Sequence, residues 1–379
     1  MARLRHCKAL RTIHVLEIYK MKILVMKFRN IGDVLLTTPL IENLHHFYPD
    51  AAIDFALNRG CEAMIEKNPF VNKIHIYERE KIKRAGFFEK ILGEIEFALL
   101  IKREKYDIIV QTTSGDRGIF LGAISGAKKI VAPRSKNTLA NFFITHETPK
   151  SSGLRHIIEQ NLDALRALKF EPVSKKVKIF ADESEIATLN LPRKFAHFHI
   201  TSRWMFKCAN DETMAQLIDF CERDLDVRVI ITGDKNEAEM KKIDDVLAVC
   251  HSKPLNLAGK LSLKQVAALS KKSSLFVGVD TAVMHIAAAN NVSVIAFFGA
   301  SGAYEWGPWD NSQNESGYVA RNGIQTMGRN IVFQKDWDFV PCDKDGITKN
   351  GVEKTLMDFS DELPKIKEKI RQNLKENNL

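Results

Sequence analysis

SLFVGVDTAVMHIAAANNVSVIAFFGAS, residues 274–301, reads as a buried strand, a sharp turn, a short helix and a second buried strand. Leu275, Phe276 and Val277 form one apolar run ended by Gly278; Val294, Ile295, Ala296, Phe297 and Phe298 form another ended by Gly299. Runs this short and this rich in β-branched and aromatic residues suit parallel strands covered on both faces. Between them, Asp280 and Thr281 are good N-cap residues for a helix over residues 282–289. The start of that helix holds free backbone N–H groups at the carboxyl end of a strand, where open α/β sheets take ligands and where an anion is best held. A phosphate-bearing ligand is the natural occupant. A capped helix with no ligand satisfies the same pattern, and His285 tips the balance, because it lies four residues beyond Thr281 on the same helix face.

The pattern repeats on either side. Residues 21–27, MKILVMK, are a buried strand by composition, and residues 34–47 have helical periodicity up to the break at Tyr48, Pro49 and Asp50. The turn between them puts Gly32 and Asp33 at the carboxyl edge of the strand, where a first-turn carboxylate is also favoured by the helix dipole. Strands follow over 52–57, 73–77, 107–111 and 129–132, with helices over 88–105, near Gly118, and over 154–168. A mixed, charged connection at 171–193 precedes a second array: strand 195–200, helix 211–224, strand 227–232, helices 236–250 and 263–270, and the opening unit. The expected fold class is α/β, with two Rossmann-like doubly wound domains facing each other across a cleft. The expected divisions are a basic extension at 1–20, a first domain at 21–175, a second at 176–350 and a charged helical tail at 351–379. The tail is expected to rest on the first domain.

Composition narrows the functional classes. The 379 residues are 45% hydrophobic and 27% charged, as in a globular protein with two ordinary cores, and no run approaches the length of a membrane span. The six cysteines, Cys7, Cys61, Cys208, Cys221, Cys250 and Cys342, include no C-x-x-C pair and suit a reducing, cytosolic setting. A net charge of +9 favours anionic partners, but no zinc finger, RNP motif or Arg-rich tail points to nucleic acid. Residues 1–20 lack the apolar core of a signal peptide, so the folded part is expected to begin at Met21; a basic membrane-touching arm is the other reading. There is no G-x-G-x-x-G after the first strand and no Walker loop; Gly122, Gly126 and Lys128 come nearest and miss the spacing.

The loop at 201–207 gathers polar groups: hydroxyls from Thr201 and Ser202, a guanidinium fork from Arg203 and a point charge from Lys207. Solvated surface has the same composition. His197 and His199 alternate on a strand, but no Cys or carboxylate cluster completes a metal site.

Residues 32–39, GDVLLTTP, resemble unbroken the amino-terminal signature of glycosyltransferase family 9, the heptosyltransferases. Asp280, Thr281, Ala282, Val283, Met284 and His285 are similar to the family's donor-site Asp-Thr-Gly-Pro-x-His, with Ala282 and Val283 in place of Gly and Pro. The loop at 201–208 and the stretch 298–309 look most like the heptosyltransferase III branch. The resemblance covers about residues 21–309 and implies a GT-B fold and an inverting, metal-independent glycosyltransferase. It implies transfer of heptose from ADP-heptose, a co-substrate, to an inner-core sugar of lipopolysaccharide or lipooligosaccharide, with no cofactor. In that reading Asp33 is the general base, and Thr201, Ser202, Lys207, Thr281 and Ala282 face the diphosphate. Asp280 serves the helix cap or the donor sugar, and His285 orients the diphosphate or ribose. Arg134, Lys136 and His156 are acceptor-side candidates. The implied place is the cytoplasm, with peripheral contact to the anionic inner face of the inner membrane left open. Two alternatives remain: a GT-B transferase with another nucleotide-sugar donor, and a non-catalytic polyanion-binding protein.

Overall fold

The computed structural model describes residues 20–150 and 153–376, so the expected basic extension lies, but for Lys20, outside the described residues. The first sheet is built from six parallel strands. In chain order come β1 (Lys22–Lys27), α1 (Ile31–Leu35), α2 (Thr38–Phe47), β2 (Ala52–Asn58), β3 (Lys73–Tyr77), α3 (Arg79–Arg84) and α4 (Phe87–Glu104). They are followed by β4 (Ile108–Gln111), α5 (Arg117–Ser125), β5 (Lys129–Ala132), α6 (Thr138–Asn141), β6 (His146–Glu147) and α7 (Ile157–Ala167). The strand order β3-β2-β1-β4-β5-β6 reverses between β1 and β4, which opens a crevice at their carboxyl ends. The helix expected over 34–47 is broken after Leu35. Pro39 has no N–H for the Leu35 carbonyl, and the Thr38 hydroxyl donates to that carbonyl instead, at 2.8 Å.

The second sheet has seven strands. Its elements are β7 (Phe195–His199), α8 (Asp211–Asp219), β8 (Arg228–Ile231), α9 (Glu237–Val249), β9 (Leu255–Asn256), α10 (Leu263–Lys272), β10 (Leu275–Val279), α11 (Ala282–Ala289) and β11 (Val294–Phe298). Then come α12 (Ala303–Trp306), β12 (Gln325–Met327), β13 (Asn330–Gln334), α13 (Lys344–Lys349) and α14 (Leu363–Glu376). The order β12-β13-β11-β10-β7-β8-β9 reverses between β7 and β10, and among the described residues only the β12–β13 pair is antiparallel. Every residue of β7, β10 and β11 is buried, as their uninterrupted apolar or aromatic runs require of strands covered on both faces. The β12–β13 hairpin turns at Gly328, whose φ of +55° favours glycine; it lies beyond the last strand expected from the sequence.

The tail corrects the sequence reading. Ile366, Ile370 and Leu374 of α14 join the core that holds Ile218, Val277 and Phe297, so the helix packs on the second domain, against α8 and β10. Its apolar face recurs at spacing four, but nothing in the tail's own pattern names its partner. The domains meet through one shared core, where Val34 and Leu35 of α1 cluster with Val283 and Met284 of α11. Polar contacts reinforce the seam. Lys264 Nζ donates to the carbonyls of Glu66 and Phe180 at 2.9 Å each, and Asn311 and Val177 exchange two hydrogen bonds of 2.8 and 3.0 Å.

Candidate active site

Both reversal points open into one cleft of about 1910 Å³ between the domains. The first domain contributes Lys27, Arg29, Gly32, Asp33 and Arg134; the second contributes Ser202, Lys207, Asp280, Thr281, Ala282 and His285. Lys27 and His285, 258 positions apart in the chain, are thus placed on facing walls, as the twin-domain reading requires.

Asp33 stands in the first turn of α1, where Asn30 and Asp33 form a reciprocal capping box; its Oδ2 accepts from the Asn30 N–H at 3.3 Å. The side chain is nearly buried but lines the cleft. Behind it lies Lys27, which the sequence reading passed over. Its ammonium is buried, donates to Asn161 Oδ1 at 3.0 Å and to the Thr112 carbonyl at 3.3 Å, and is lowered to about 8. Burial is the main cause, opposed by the charge of Asp33. A lysine closing an apolar strand at the sheet's carboxyl edge was the available signal. From the opposite domain Glu305 also reaches the cleft; burial pushes its carboxyl up, and the negative charge of Asp33 adds to the effect.

On the second wall, Lys207 Nζ pairs with Asp280 Oδ2 at 2.5 Å. Burial opposes ionisation of Asp280, but the Lys207 charge and hydrogen bond, with help from Ser301, hold its carboxyl below the usual range. Asp280 therefore does not cap α11. Thr281 occupies the N-cap position with extended backbone, and its side chain makes no capping bond. Its Oγ1 is buried without a hydrogen-bond partner, and so is His285 Nδ1 one turn later. Two orphaned polar atoms beside an uncapped helix start describe a place where a bound group completes the bonding. Burial, with a contribution from Lys207, lowers His285 to about 4, so its imidazole is neutral at physiological pH.

Two expectations need correction. Thr201 is buried and donates its hydroxyl to Glu239 Oε2 at 2.8 Å, so Ser202, not Thr201, presents a hydroxyl to the cleft. His156 is an interior group: Nε2 bonds the Gly307 carbonyl at 2.9 Å and Nδ1 accepts from the Ile158 N–H at 3.3 Å. Both nitrogens are spent on joining α7 to the second domain. Ala282 lines the cleft with its methyl toward the other domain: a Cβ built on Gly32 comes within 3.8 Å of that methyl and 3.2 Å of His285 Cδ2. Of the remaining acceptor-side candidates, Arg134 lines the cleft and pairs with Glu147 at 3.5 Å, while Lys136 is exposed outside the lining.

Glu239 was also missed. Almost fully buried, it lines the cleft and accepts from Asn236 Nδ2 at 2.8 Å and the Asp234 N–H at 3.2 Å as well as from Thr201. The Asn-x-x-Glu spacing at the start of α9 was its visible sign. His197 and His199 both bond Thr232 Oγ1, at 2.7 and 2.9 Å. Among the described residues no group of three or more His, Cys, Asp or Glu is arranged to hold a metal ion.

A family model for glycosyltransferase family 9 (heptosyltransferase) matches residues 96–335. The chain belongs to glycosyltransferase family 9. It is similar to lipopolysaccharide heptosyltransferase 3 of Escherichia coli, 28% identical over 292 residues that cover 74% of this chain and 84% of that one. Two solved structures share the fold. A family 9 glycosyl transferase from Veillonella parvula superposes with a TM-score of 0.76 at 20% identity, covering 94% of this chain and 98% of its own. E. coli heptosyltransferase WaaC with ADP gives 0.69 at 17% identity, covering 93% and 100%. The chain is therefore a GT-B glycosyltransferase.

Proposed function

We propose that this glycosyltransferase moves a heptose from ADP-heptose to an inner-core sugar of lipopolysaccharide or lipooligosaccharide, with inversion at the anomeric carbon. The observation that carries this reading is the start of α11, where buried Thr281 Oγ1 and His285 Nδ1 lack partners beside Lys207. That group of donors suits a diphosphate. The relatives' names supply the sugar, the nucleotide and the acceptor.

Asp33 takes the proton of the acceptor hydroxyl, the oxygen attacks the anomeric carbon, and the carbon–oxygen bond to the diphosphate breaks as ADP departs. Lys207, Ser202 and the α11 amides stabilise the charge that develops on the leaving phosphate. In this reading no divalent cation and no cofactor takes part, because the cation and the helix start meet that charge. Asp280 holds Lys207 in place until the phosphate competes for it. The enzyme works in the cytoplasm, against the inner face of the inner membrane where such an acceptor resides, and nucleic acid is not among its partners.

Calorimetric titration with ADP tests the site. Wild type is expected to bind saturably in the presence of EDTA, and Lys207→Ala to bind at least about tenfold more weakly. Indifference to ADP, or transfer abolished by EDTA and restored by Mg²⁺, overturns the reading. Equal transfer from another nucleotide sugar replaces the donor while leaving the mechanism in place.

A further inference from the structure

α4 is apolar on two opposite faces. Phe97 and Ile101 point into the core of the first domain with Leu24, Met26 and Ile109. Phe88, Leu92, Ile95 and Leu99 lie on the other side, 78%, 57%, 48% and 44% exposed. At 3.6 residues per turn these four positions fall within about 60° of one another, and the stripe is centred about 180° from Phe97. An exposed leucine needs no explanation, but four large apolar side chains in line along one helix do. The exposed apolar area continues on the same side of the sheet, at Ile124 of α5, which packs beside α4.

The charge around the stripe is positive at both ends. Lys81, Lys83 and Arg84 of α3 are exposed at its amino-terminal end, and Lys102 and Arg103, each within about 50° of the stripe's centre, at the other. No salt bridge among the described residues engages Lys83 or Arg84; of the acids nearby, Glu78, Glu94 and Glu104 are paired, and the exposed Glu80, Glu89 and Glu96 leave the surplus of positive charge on α3 and the last turn of α4. An exposed apolar stripe with cations at both ends is the composition of a helix lying in a bilayer interface, where the side chains enter the acyl boundary and the cations meet anionic headgroups. The place in the fold agrees. Glu78, Arg79, Glu80, Lys81 and Lys83 line the cleft, so the first domain's wall runs onto α3, directly before the stripe.

We propose that the exposed face of α4, with the basic α3 before it, docks the enzyme on an anionic phospholipid bilayer and sets the cleft mouth against the membrane. This rests on the reading above only for the nature of the acceptor, which as a lipid-borne sugar is then delivered laterally into the first domain's wall. The surface itself stands on the pattern of α4. No membrane-spanning helix is present among the described residues, so the attachment is interfacial.

Co-sedimentation with vesicles tests it, using phosphatidylcholine alone and an equimolar mixture with phosphatidylglycerol. Wild type is expected to bind the mixed vesicles and to release them as salt rises. The double variant Phe88→Ser/Leu92→Ser is expected to lose at least about tenfold in bound fraction, with unchanged ADP affinity and unchanged rate on a delipidated soluble acceptor. Arg84→Gln should weaken binding to the mixed vesicles alone. Wild type that ignores the mixed vesicles, or a double variant that binds them like wild type, overturns the proposal. So does self-association of wild type without lipid that the double variant abolishes, since the stripe is then covered by a second copy. Vesicle binding by a protein that neither binds ADP nor transfers sugar supports the surface and sinks the donor reading instead.

Discussion

His285, Thr281, Lys207 and Asp33 divide the work of the cleft between two walls, and the division can be measured. Asp33→Asn keeps the size of the side chain and most of its capping ability, so stability should change by no more than about 1 kcal/mol. It removes the proton acceptor, which lowers the transfer rate by roughly two to four orders of magnitude with ADP affinity unchanged. A matched loss of ADP affinity, measured on the same folded variant, would move Asp33 to the donor wall. Lys27 offers a second test through pH. Its ammonium is lowered from 10.5 to about 8 in the folded chain, chiefly by burial. Between those two values the unfolded chain holds the proton and the folded chain has lost it, so stability rises with pH across that window. Urea denaturation between pH 8 and 10 should show the rise in wild type and not in Lys27→Met. If both proteins show the same pH dependence, the buried ammonium is not its source.

At the level of elements, α1 and α11 bring the two walls together through their smallest residues, Gly32 and Ala282. The methyl of Ala282 narrows the gap between domains and leaves the α11 amides open. Ala282→Gly should then preserve ADP binding, whereas Ala282→Val drives extra methyl groups toward α1 and should cost about 1–3 kcal/mol of stability together with ADP affinity. Paired thermal denaturation and ADP titration check this; a loss of affinity at unchanged stability would place the residue against the phosphate instead. α2 begins anew after Leu35 for a local reason, the absent N–H of Pro39, and Asp33, in α1 before the break, lines the cleft. That break was visible as a proline, yet the apolar periodicity on both sides of it reads as one helix.

Across the whole molecule, buried histidines tie the seam and the site to acidity. His156, His199 and His285 are each lowered to about 4, in every case chiefly by burial. Unfolded histidine takes up its proton near 6.5, so between that value and 4 the unfolded chain binds more protons and stability falls as pH falls. Each histidine can contribute a slope approaching about 1.4 kcal/mol per pH unit in that window. Denaturation midpoints at pH 7, 6 and 5 should fall progressively, and His156→Gln, which can still bond the Gly307 carbonyl, should flatten the dependence. A midpoint that is constant from pH 7 to 5 would show that these imidazoles take up protons without unfolding.

The amino-acid sequence by itself determined the local part of this architecture. β5 and β11 have the bounds read from their apolar runs, because burial demands contiguous apolar residues; half-buried β3, and α11, which begins after Thr281 in extended backbone without a side-chain cap, also have the bounds read from the sequence. The placing of Asp33, Lys207 and His285 at carboxyl edges of parallel strands was equally local. What only the tertiary structure decided are the pairings across long separations: Asp280 with Lys207, Thr201 with Glu239, His156 with Gly307, and α14 with the second domain. A hydroxyl, a carboxylate or an imidazole satisfies its hydrogen bonds with whatever the fold brings within about 3 Å, and an apolar helix face accepts any apolar partner. Those choices are made by the approach of distant segments, and no spacing within one segment records them.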